Sequence, residues 1–202
     1  MATLTLTLIA YLIGSVSFAV ITSRAFGLPD PRTYGSGNPG ATNVLRTGKK
    51  PAAALTWLGD SVKGWLAVII AARYAEADVV ELATAAAGVA AVVGHIYPLF
   101  FRFQGGKGVS TALGVLVALN PYVAAGTLAT WLVVAFFFRI SSLAALVSAL
   151  FAPFFTLILY NYTHPYFVAV GIISALLIWR HESNIRHLLA GTEGKLDEKE
   201  SV

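Results

Sequence analysis

Residues 110–138 read Ser-Thr-Ala-Leu-Gly-Val-Leu-Val-Ala-Leu-Asn-Pro-Tyr-Val-Ala-Ala-Gly-Thr-Leu-Ala-Thr-Trp-Leu-Val-Val-Ala-Phe-Phe-Phe, 29 positions without a charge. As one helix this stretch would measure about 43 Å, against a bilayer hydrocarbon core of about 30 Å. Asn120-Pro121 falls inside it. Proline disfavours helical backbone at the residue before it and is at home in a first helical turn, so the pair predicts a break. We therefore expect a short helix over about 110–119 and a full one after Pro121. The choice sets the topology, because it decides on which side of a membrane everything downstream emerges.

The rest of the chain agrees that a membrane is the solvent. Of 202 residues 57% are hydrophobic and 12% charged, with a mean hydropathy of +0.73. Ala2 to Ile21 and Ser141 to Trp179 are further runs free of Asp, Glu, Lys and Arg. In lipid every backbone polar group must be satisfied internally, which leaves helices or closed barrels, and the short alternating segments of a barrel are absent. The first run lacks a basic leader and a small-x-small cleavage site, so it is expected to be a retained helix over about residues 2–23. The second helix starts near Pro51 and runs to about Arg73, and the third returns to Phe101. The last long run divides between Asn161 and Pro165. The reading is an all-α integral membrane protein, one domain over 1–202, with seven transmembrane segments.

Charge tests the count. With seven segments, one face of the membrane holds Arg24, Arg32, Arg46, Lys49, Lys50, Arg102, Lys107, Arg139, Arg180, Arg186, Lys195 and Lys199, twelve of the fourteen Lys and Arg. Only Arg73 falls opposite, and Lys63 lies within the membrane. The positive-inside rule makes the basic face cytoplasmic, the N-terminus external and the C-terminus cytoplasmic. Were 110–138 a single span, the C-terminal Arg/His cluster would lie outside. Residues 194–202 read as a polar, frayed tail.

Three polar clusters then share the cytoplasmic face. The first, residues 35–46, is Gly-Ser-Gly-Asn-Pro-Gly-Ala-Thr-Asn-Val-Leu-Arg. Glycines let backbone approach a ligand, and N–H groups, hydroxyls and a guanidinium together suit a phosphate. The second, residues 94–111, carries Gly105-Gly106-Lys107-Gly108 at the start of a helix, which offers free N–H groups, a positive helix end and an ammonium. It is not a Walker A loop, since Gly108 follows Lys107 where Ser or Thr is required. The third, residues 181–193, places His181 and Asn184 at i, i+3, an imidazole and an amide able to orient a hydroxyl or stabilise an oxyanion. Asp60 and Lys63, also at i, i+3, are either a neutralised pair joining helices or one wall of a polar pocket. His164, on the opposite turn, reads as structural.

Several chemistries are disfavoured. There is no cysteine, hence no disulfide, thiolate metal site or cysteinyl acyl-enzyme. No His-x-x-x-x-Asp occurs, and Asp30, Asp60 and Asp78 are the only aspartates before the tail, too few for an Asp-rich metal motif. No metal, cofactor or obligate protein partner is implied, and a net charge of +4 is too small and scattered for nucleic acid. No internal repeat is visible, and the external connectors are short and nearly empty of polar groups. Both points weigh against the competing reading, a membrane transporter of a phosphorylated small solute.

The motifs Gly35-Ser36-Gly37-Asn38 with Gly40-Ala41-Thr42-Asn43 and Arg46, then Gly94-His95 with Pro98 and Gly105 to Val109, then His181 with Asn184-Ile185 and Leu188 to Glu193 resemble the three ordered motifs of the bacterial acyl-phosphate dependent glycerol-3-phosphate acyltransferases. The resemblance covers essentially the whole chain. It implies an enzyme of the bacterial inner membrane, active site facing the cytoplasm, that moves a fatty acyl group from acyl phosphate to the 1-hydroxyl of sn-glycerol 3-phosphate. The products would be lysophosphatidate and inorganic phosphate, at the first step of phospholipid synthesis. Carried over residue by residue, it implies catalytic roles for Ser36, His181 and Asn184. Substrate binding is expected of Arg46, Gly37, Asn38, Thr42, Asn43, Lys63, Gly105, Gly106, Lys107, Gly108 and Ser142, and Asp60, His95 and Glu193 are read as structural. Its partners are glycerol 3-phosphate, acyl phosphate and membrane lipids. Gln104, Glu182 and His187 depart from the pattern, standing where basic residues are expected.

Overall fold

A computed structural model describes residues 2–196, so the end of the tail, 197–202, lies outside the described residues. Among them there are helices and no strands. The chain runs through α1 (Ala2–Gly14), α2 (Phe18–Ala25), α3 (Ala41–Arg46), α4 (Lys50–Tyr74), α5 (Val80–Ile96), a 3₁₀ turn (Leu99–Phe101), α6 (Val109–Leu119), α7 (Pro121–Phe138), α8 (Ser141–Leu159), α9 (Pro165–Arg180) and α10 (Glu182–Leu189). By length and composition, five stretches are able to cross a membrane: Thr3–Ala25, Lys50–Tyr74, Val80–Phe101, Pro121–Phe138 and Ser141–Leu159. Val109–Leu119 and Pro165–Arg180 are apolar but shorter.

The break expected at Asn120 is present and has a local cause. Leu119 ends α6, and the Asn120 side chain caps α7, its Oδ1 accepting from the N–H groups of Tyr122 and Val123 at 2.9 and 3.2 Å. Pro121 supplies the first residue of α7 and lacks the N–H that would need a partner there. At the other divided run, α8 ends at Leu159 and Pro165 opens α9 behind a His164 cap.

The first segment differs from expectation: the single helix over residues 2–23 is interrupted at Ser15–Ser17. Two causes are visible. Ser15 turns its hydroxyl back to the Tyr11 carbonyl at 2.8 Å, and the Val16 carbonyl, released from the ladder, accepts a hydrogen bond from Lys63 Nζ at 2.6 Å. A buried ammonium from α4 thus satisfies the backbone that the break exposes. The third segment also ends early as α-helix, at Ile96, and continues to Phe101 through the 3₁₀ turn.

α5 lies at the centre, packed on α1, α4, α6 and α9, while α7 and α8 pack on each other and close the remaining side through α6 and α9. Small residues let these helices touch backbone to backbone. A Cβ on Gly14 would stand 2.2 Å from the Ala91 carbonyl oxygen, and one on Gly114 only 1.8 Å from that of Ser61. The core between them is correspondingly rich in alanine and valine, with Ala67, Ala87, Ala91, Val92 and Val115 almost fully buried. The larger apolar side chains face outward, Phe136, Phe137 and Phe138 among them, as expected where the surroundings are lipid. This arrangement leaves one end of the bundle to the polar segments 26–49, 97–108 and 181–196.

Candidate active site

A cavity of about 590 Å³ opens at that end and runs down between α4, α6, α7, α8 and α9. Its upper wall is polar and draws on all three sequence clusters: Ser36, Asn38, Thr42, Asn43 and Arg46 from the first, Lys107 and Gly108 from the second, His181, Asn184 and Glu193 from the third. Its lower part is apolar, with Trp57, Leu113, Trp131 and Ala149 among its lining. Beside this apolar part Leu116, Val123, Ala124, Ala152 and Val170 form a buried cluster, of which Leu116, Ala152 and Val170 line the cavity.

The first cluster is a loop organised from within. Gly35 and Gly37 take left-handed backbone at φ +56° and +66°. Asn43, buried on the short helix α3, accepts the Ser36 N–H on Oδ1 at 3.1 Å and donates through Nδ2 to the carbonyls of Pro31 and Tyr34 at 2.8 and 3.2 Å. One amide therefore fixes the turn that carries Ser36. The Ser36 hydroxyl accepts from the Asn38 N–H at 3.4 Å and faces the cavity. The N–H of Gly37 is engaged by the Tyr34 carbonyl at 2.9 Å, so this glycine shapes the loop. Arg46, at the last turn of α3, reaches the cavity wall.

The second cluster is held from outside. After the 3₁₀ turn the chain passes through Arg102 and Phe103, both at positive φ, and folds back so that the Gly106 N–H donates to the His95 carbonyl at 3.1 Å. Gly105 lies so close to α5 that a Cβ there would stand 2.0 Å from the same carbonyl oxygen. Gly108, at φ +90°, forms the N-cap of α6, and Lys107 and Gly108 line the cavity whereas Gly105 and Gly106 support it. Burial lowers the Lys107 ammonium to about 8, and the charges of Arg180 and Arg46 push the same way against the opposing pull of Glu193.

In the third cluster α9 ends at Arg180 and α10 begins at Glu182, so His181 sits at the corner between two helices, buried yet facing the cavity. Its Nδ1 lies 2.7 Å from the Leu177 carbonyl, which can only accept. Nδ1 therefore carries the proton and Nε2 is left as an acceptor. Burial, with a contribution from Lys107, lowers this imidazole to about 4, so it is neutral at pH 7. Asn184, one turn on, accepts from Lys107 Nζ on Oδ1 at 2.5 Å and donates to Glu193 Oε1 at 2.6 Å. The same Glu193 oxygen accepts from Ser142 Oγ at 2.6 Å. Glu193 thus joins α8, α10 and the Lys107 turn from a position folded back over the cavity by Gly191 at φ +68°.

Lys63 occupies a different place from the other cations. Its ammonium is buried beneath the polar wall, 2.8 Å from Asp60 Oδ1, 2.6 Å from the Val16 carbonyl oxygen and 3.0 Å from His95 Nδ1. Asp60 and His95 lie between it and the cavity, which they line. The apolar lining from Trp57, Leu113, Trp131 and Ala149 comes from four helices and carries no spacing signal that would join it in the sequence.

With this geometry in view, comparison with known proteins places the chain. The family model for glycerol-3-phosphate acyltransferase matches residues 4–191. A glycerol-3-phosphate acyltransferase from Cupriavidus taiwanensis is 58% identical over 203 residues, covering 100% of both chains. Among solved structures, PlsY (YgiH), an integral membrane glycerol 3-phosphate acyltransferase, is similar in its glycerol 3-phosphate form at 38% identity and a TM-score of 0.89, covering 96% of each chain. Its lysophosphatidic acid form gives 37% and 0.87, covering 96% of this chain and 95% of that one. The three clusters that meet at the cavity are thus embedded in a fold shared over nearly its whole length, and the chain belongs to the glycerol-3-phosphate acyltransferase family.

Proposed function

We propose that this enzyme takes its acyl group from acyl phosphate, transfers it to the 1-hydroxyl of sn-glycerol 3-phosphate, and releases lysophosphatidate and inorganic phosphate. The observation that carries the reading is the two-part cavity. Arg46, Lys107, Asn184 and Ser36 bring cationic and hydrogen-bonding groups to one polar mouth, which suits two phosphorylated reactants, and an apolar slot beneath suits a fatty chain. Each methylene buried there contributes about 0.8 kcal/mol. An apolar lower lining fits a fatty chain better than the passage of a phosphorylated solute, so transport of such a solute is disfavoured.

In the reaction the glycerol oxygen forms a bond to the acyl carbonyl carbon, the bond from that carbon to the phosphate oxygen breaks, and the hydroxyl proton must go to a base. His181 Nε2, left as an acceptor by the hydrogen bond from Nδ1 to the Leu177 carbonyl, is assigned the hydrogen bond that orients the hydroxyl. Burial lowers the imidazole to about 4, which makes it a weak base, while a substrate phosphate oxygen beside the hydroxyl is ionised. His181 therefore orients, and phosphate takes the proton. An acyl phosphate is an activated donor, so holding the reactants together and neutralising charge supply the acceleration, with no metal or cofactor in the scheme. Lys107 and Arg46 hold phosphate, Ser36 and Thr42 donate hydrogen bonds, Asn184 and Ser142 position the polar wall through Glu193, and Ser36 is not acylated. No imidazole or carboxylate is hydrogen-bonded to Ser36 Oγ among the described residues, which supports that assignment.

The segments Thr3–Ala25, Lys50–Tyr74, Val80–Phe101, Val109–Leu119, Pro121–Phe138, Ser141–Leu159 and Pro165–Arg180 are read as seven membrane passages of a bacterial inner membrane, with the N-terminus external and the cavity mouth cytoplasmic. Purified protein supplied with palmitoyl phosphate should release phosphate only when glycerol 3-phosphate is present. A stoichiometric burst of phosphate in its absence, with acyl label on Ser36, would replace direct transfer by an acyl-enzyme.

A further inference from the structure

The buried cluster of Asp60, Lys63 and His95 lies beneath both glycine turns. Its geometry fixes more than charge balance. An ammonium has three N–H bonds and no lone pair. Lys63 meets partners on three different elements: it donates to the Val16 carbonyl in the break between α1 and α2 and to His95 Nδ1 on α5, and it pairs with the Asp60 carboxylate on its own helix α4 at 2.8 Å. Thr111 Oγ1, at the start of α6, approaches the same His95 nitrogen at 3.1 Å. Asp60 Oδ1 also stands near this nitrogen, at 3.5 Å, but the nearer Lys63 ammonium at 3.0 Å can only donate, so Nδ1 is assigned as its acceptor and the single proton of the neutral ring to Nε2.

That second nitrogen faces the point where the two substrate loops meet. A Cβ on Gly106 would stand 2.3 Å from His95 Nε2 and 3.0 Å from the carbonyl oxygen of Pro39, which belongs to the first loop. The N–H edge of the ring, the Pro39 carbonyl and the Gly106 backbone therefore converge on one small volume, next to Lys107. The His95 backbone carbonyl also receives the Gly106 N–H. The Nε2 edge of the ring is thus packed against the Gly106 backbone on the side where the first loop also reaches it.

We propose that Asp60 and Lys63 act as a tautomer lock on His95, and that the locked Nε2–H edge is the pin that holds the Ser36 loop and the Lys107 turn in register as one phosphate-binding mouth. His95 is a positioning residue, and its effect reaches substrate through both loops at once. The break in the first segment is then a working part of the site, since it supplies the carbonyl that completes the coordination of Lys63. This inference rests on the proposed acyl transfer for its kinetic readout, but not for its spectroscopic one.

The wild-type protein, ¹⁵N-labelled at histidine and reconstituted in lipid nanodiscs, tests the lock directly. His95 should show an acceptor-type Nδ1 and a protonated Nε2, and Lys63→Met should mix or reverse the tautomers. A protonated Nδ1, or an imidazolium, in the wild type would overturn the lock. For the pin, His95→Gln retains an amide donor near the position of Nε2, while His95→Asn does not reach it. His95→Asn should raise KM for glycerol 3-phosphate and for acyl phosphate together, by about tenfold to a hundredfold as for a misplaced binding group, and His95→Gln should recover part of this. Equal kinetics of His95→Asn and wild type would defeat the pin. A wild type that neither binds glycerol 3-phosphate nor makes product, yet shows the Nε2–H tautomer, would instead defeat the proposed function and leave the lock standing.

Discussion

Gly35–Arg46 and Gly105–Gly108 look alike as sequence, two glycine-rich basic turns that meet at one end of the helical bundle, yet they are built in opposite ways. In the first, glycines at positive φ bend the chain and one side chain, Asn43, binds three backbone groups of its own loop. In the second, Gly105 and Gly106 are glycines because α5 and Pro39 leave no volume for a Cβ. Gly35 and Gly37 are required by backbone conformation, Gly105 and Gly106 by contact. Substitutions should therefore fail for different reasons in the two places.

The largest effect is expected at Gly106. An alanine methyl would lie 2.3 Å from His95 Nε2 and 3.0 Å from the Pro39 oxygen, so the turn must move away from α5 and carry Lys107 with it. A displacement of about 1 Å costs on the order of a hundredfold in rate, and Gly106→Ala should lose at least that in kcat/KM. Near wild-type kinetics for Gly106→Ala would show that the turn is not held by contact.

Lys107→Met comes next. Losing one charged hydrogen bond to phosphate costs about 1.5–3 kcal/mol, roughly tenfold to a hundredfold in kcat/KM. The same side chain should give a pH signature. The free enzyme loses its cation as pH rises through the lowered value of about 8, so kcat/KM should fall above that pH. Bound phosphate favours the charged form, so the limb should move upward in the profile of kcat. Lys107→Arg, whatever its residual rate, should abolish the limb, and a limb that survives in Lys107→Arg belongs to another group.

Asn43→Ala removes the internal support of the first loop and leaves the Ser36 N–H and two carbonyls to find other partners. Each such group left unpaired costs about 1–3 kcal/mol when buried, less if water reaches it. We expect kcat/KM to fall by about tenfold, less than in Gly106→Ala, since the second turn is untouched. A loss as large as that of Gly106→Ala would mean that the loops are not independently built. The smallest effect belongs to Gly37→Ala. A Cβ there meets nothing closer than 3.6 Å, and the cost is that of φ +66° for an L-residue, about 1–2 kcal/mol of local strain. Activity should fall only a fewfold, in contrast with Gly106→Ala.

The same comparison explains what could be read in advance. Asn120-Pro121 announces its own break, because the cap and the proline act within three residues of each other. Asn184 and His181 are neighbours by helical spacing. By contrast, the interruption at Ser15–Ser17 has its partner in Lys63, 47 residues on, and no local pattern reveals it. Lys63, expected among the substrate-binding groups, is placed instead beneath the wall by acceptors from α1–α2, α4 and α5. The roles of Gly37 and Gly106 as loop-shaping residues likewise depend on which carbonyl each N–H meets. Glycine motifs identify the mouth of the site but not which of its amides face inward. The apolar slot, assembled from single residues on separate helices, is visible only once the helices are packed.

The donor is the claim on which the division of the cavity depends. A mouth built from Arg46, Lys107 and Asn184 can hold a leaving phosphate, while a thioester donor brings a nucleotide or a carrier protein for which the short segments around the mouth provide no evident platform. Discrimination should therefore lie in the leaving group and not in the chain. The direct measurement is lysophosphatidate formed by the purified enzyme from glycerol 3-phosphate with equal concentrations of palmitoyl phosphate or palmitoyl-coenzyme A. The account predicts product from palmitoyl phosphate alone, with one inorganic phosphate released per acyl transferred; comparable yields from the two donors would contradict it.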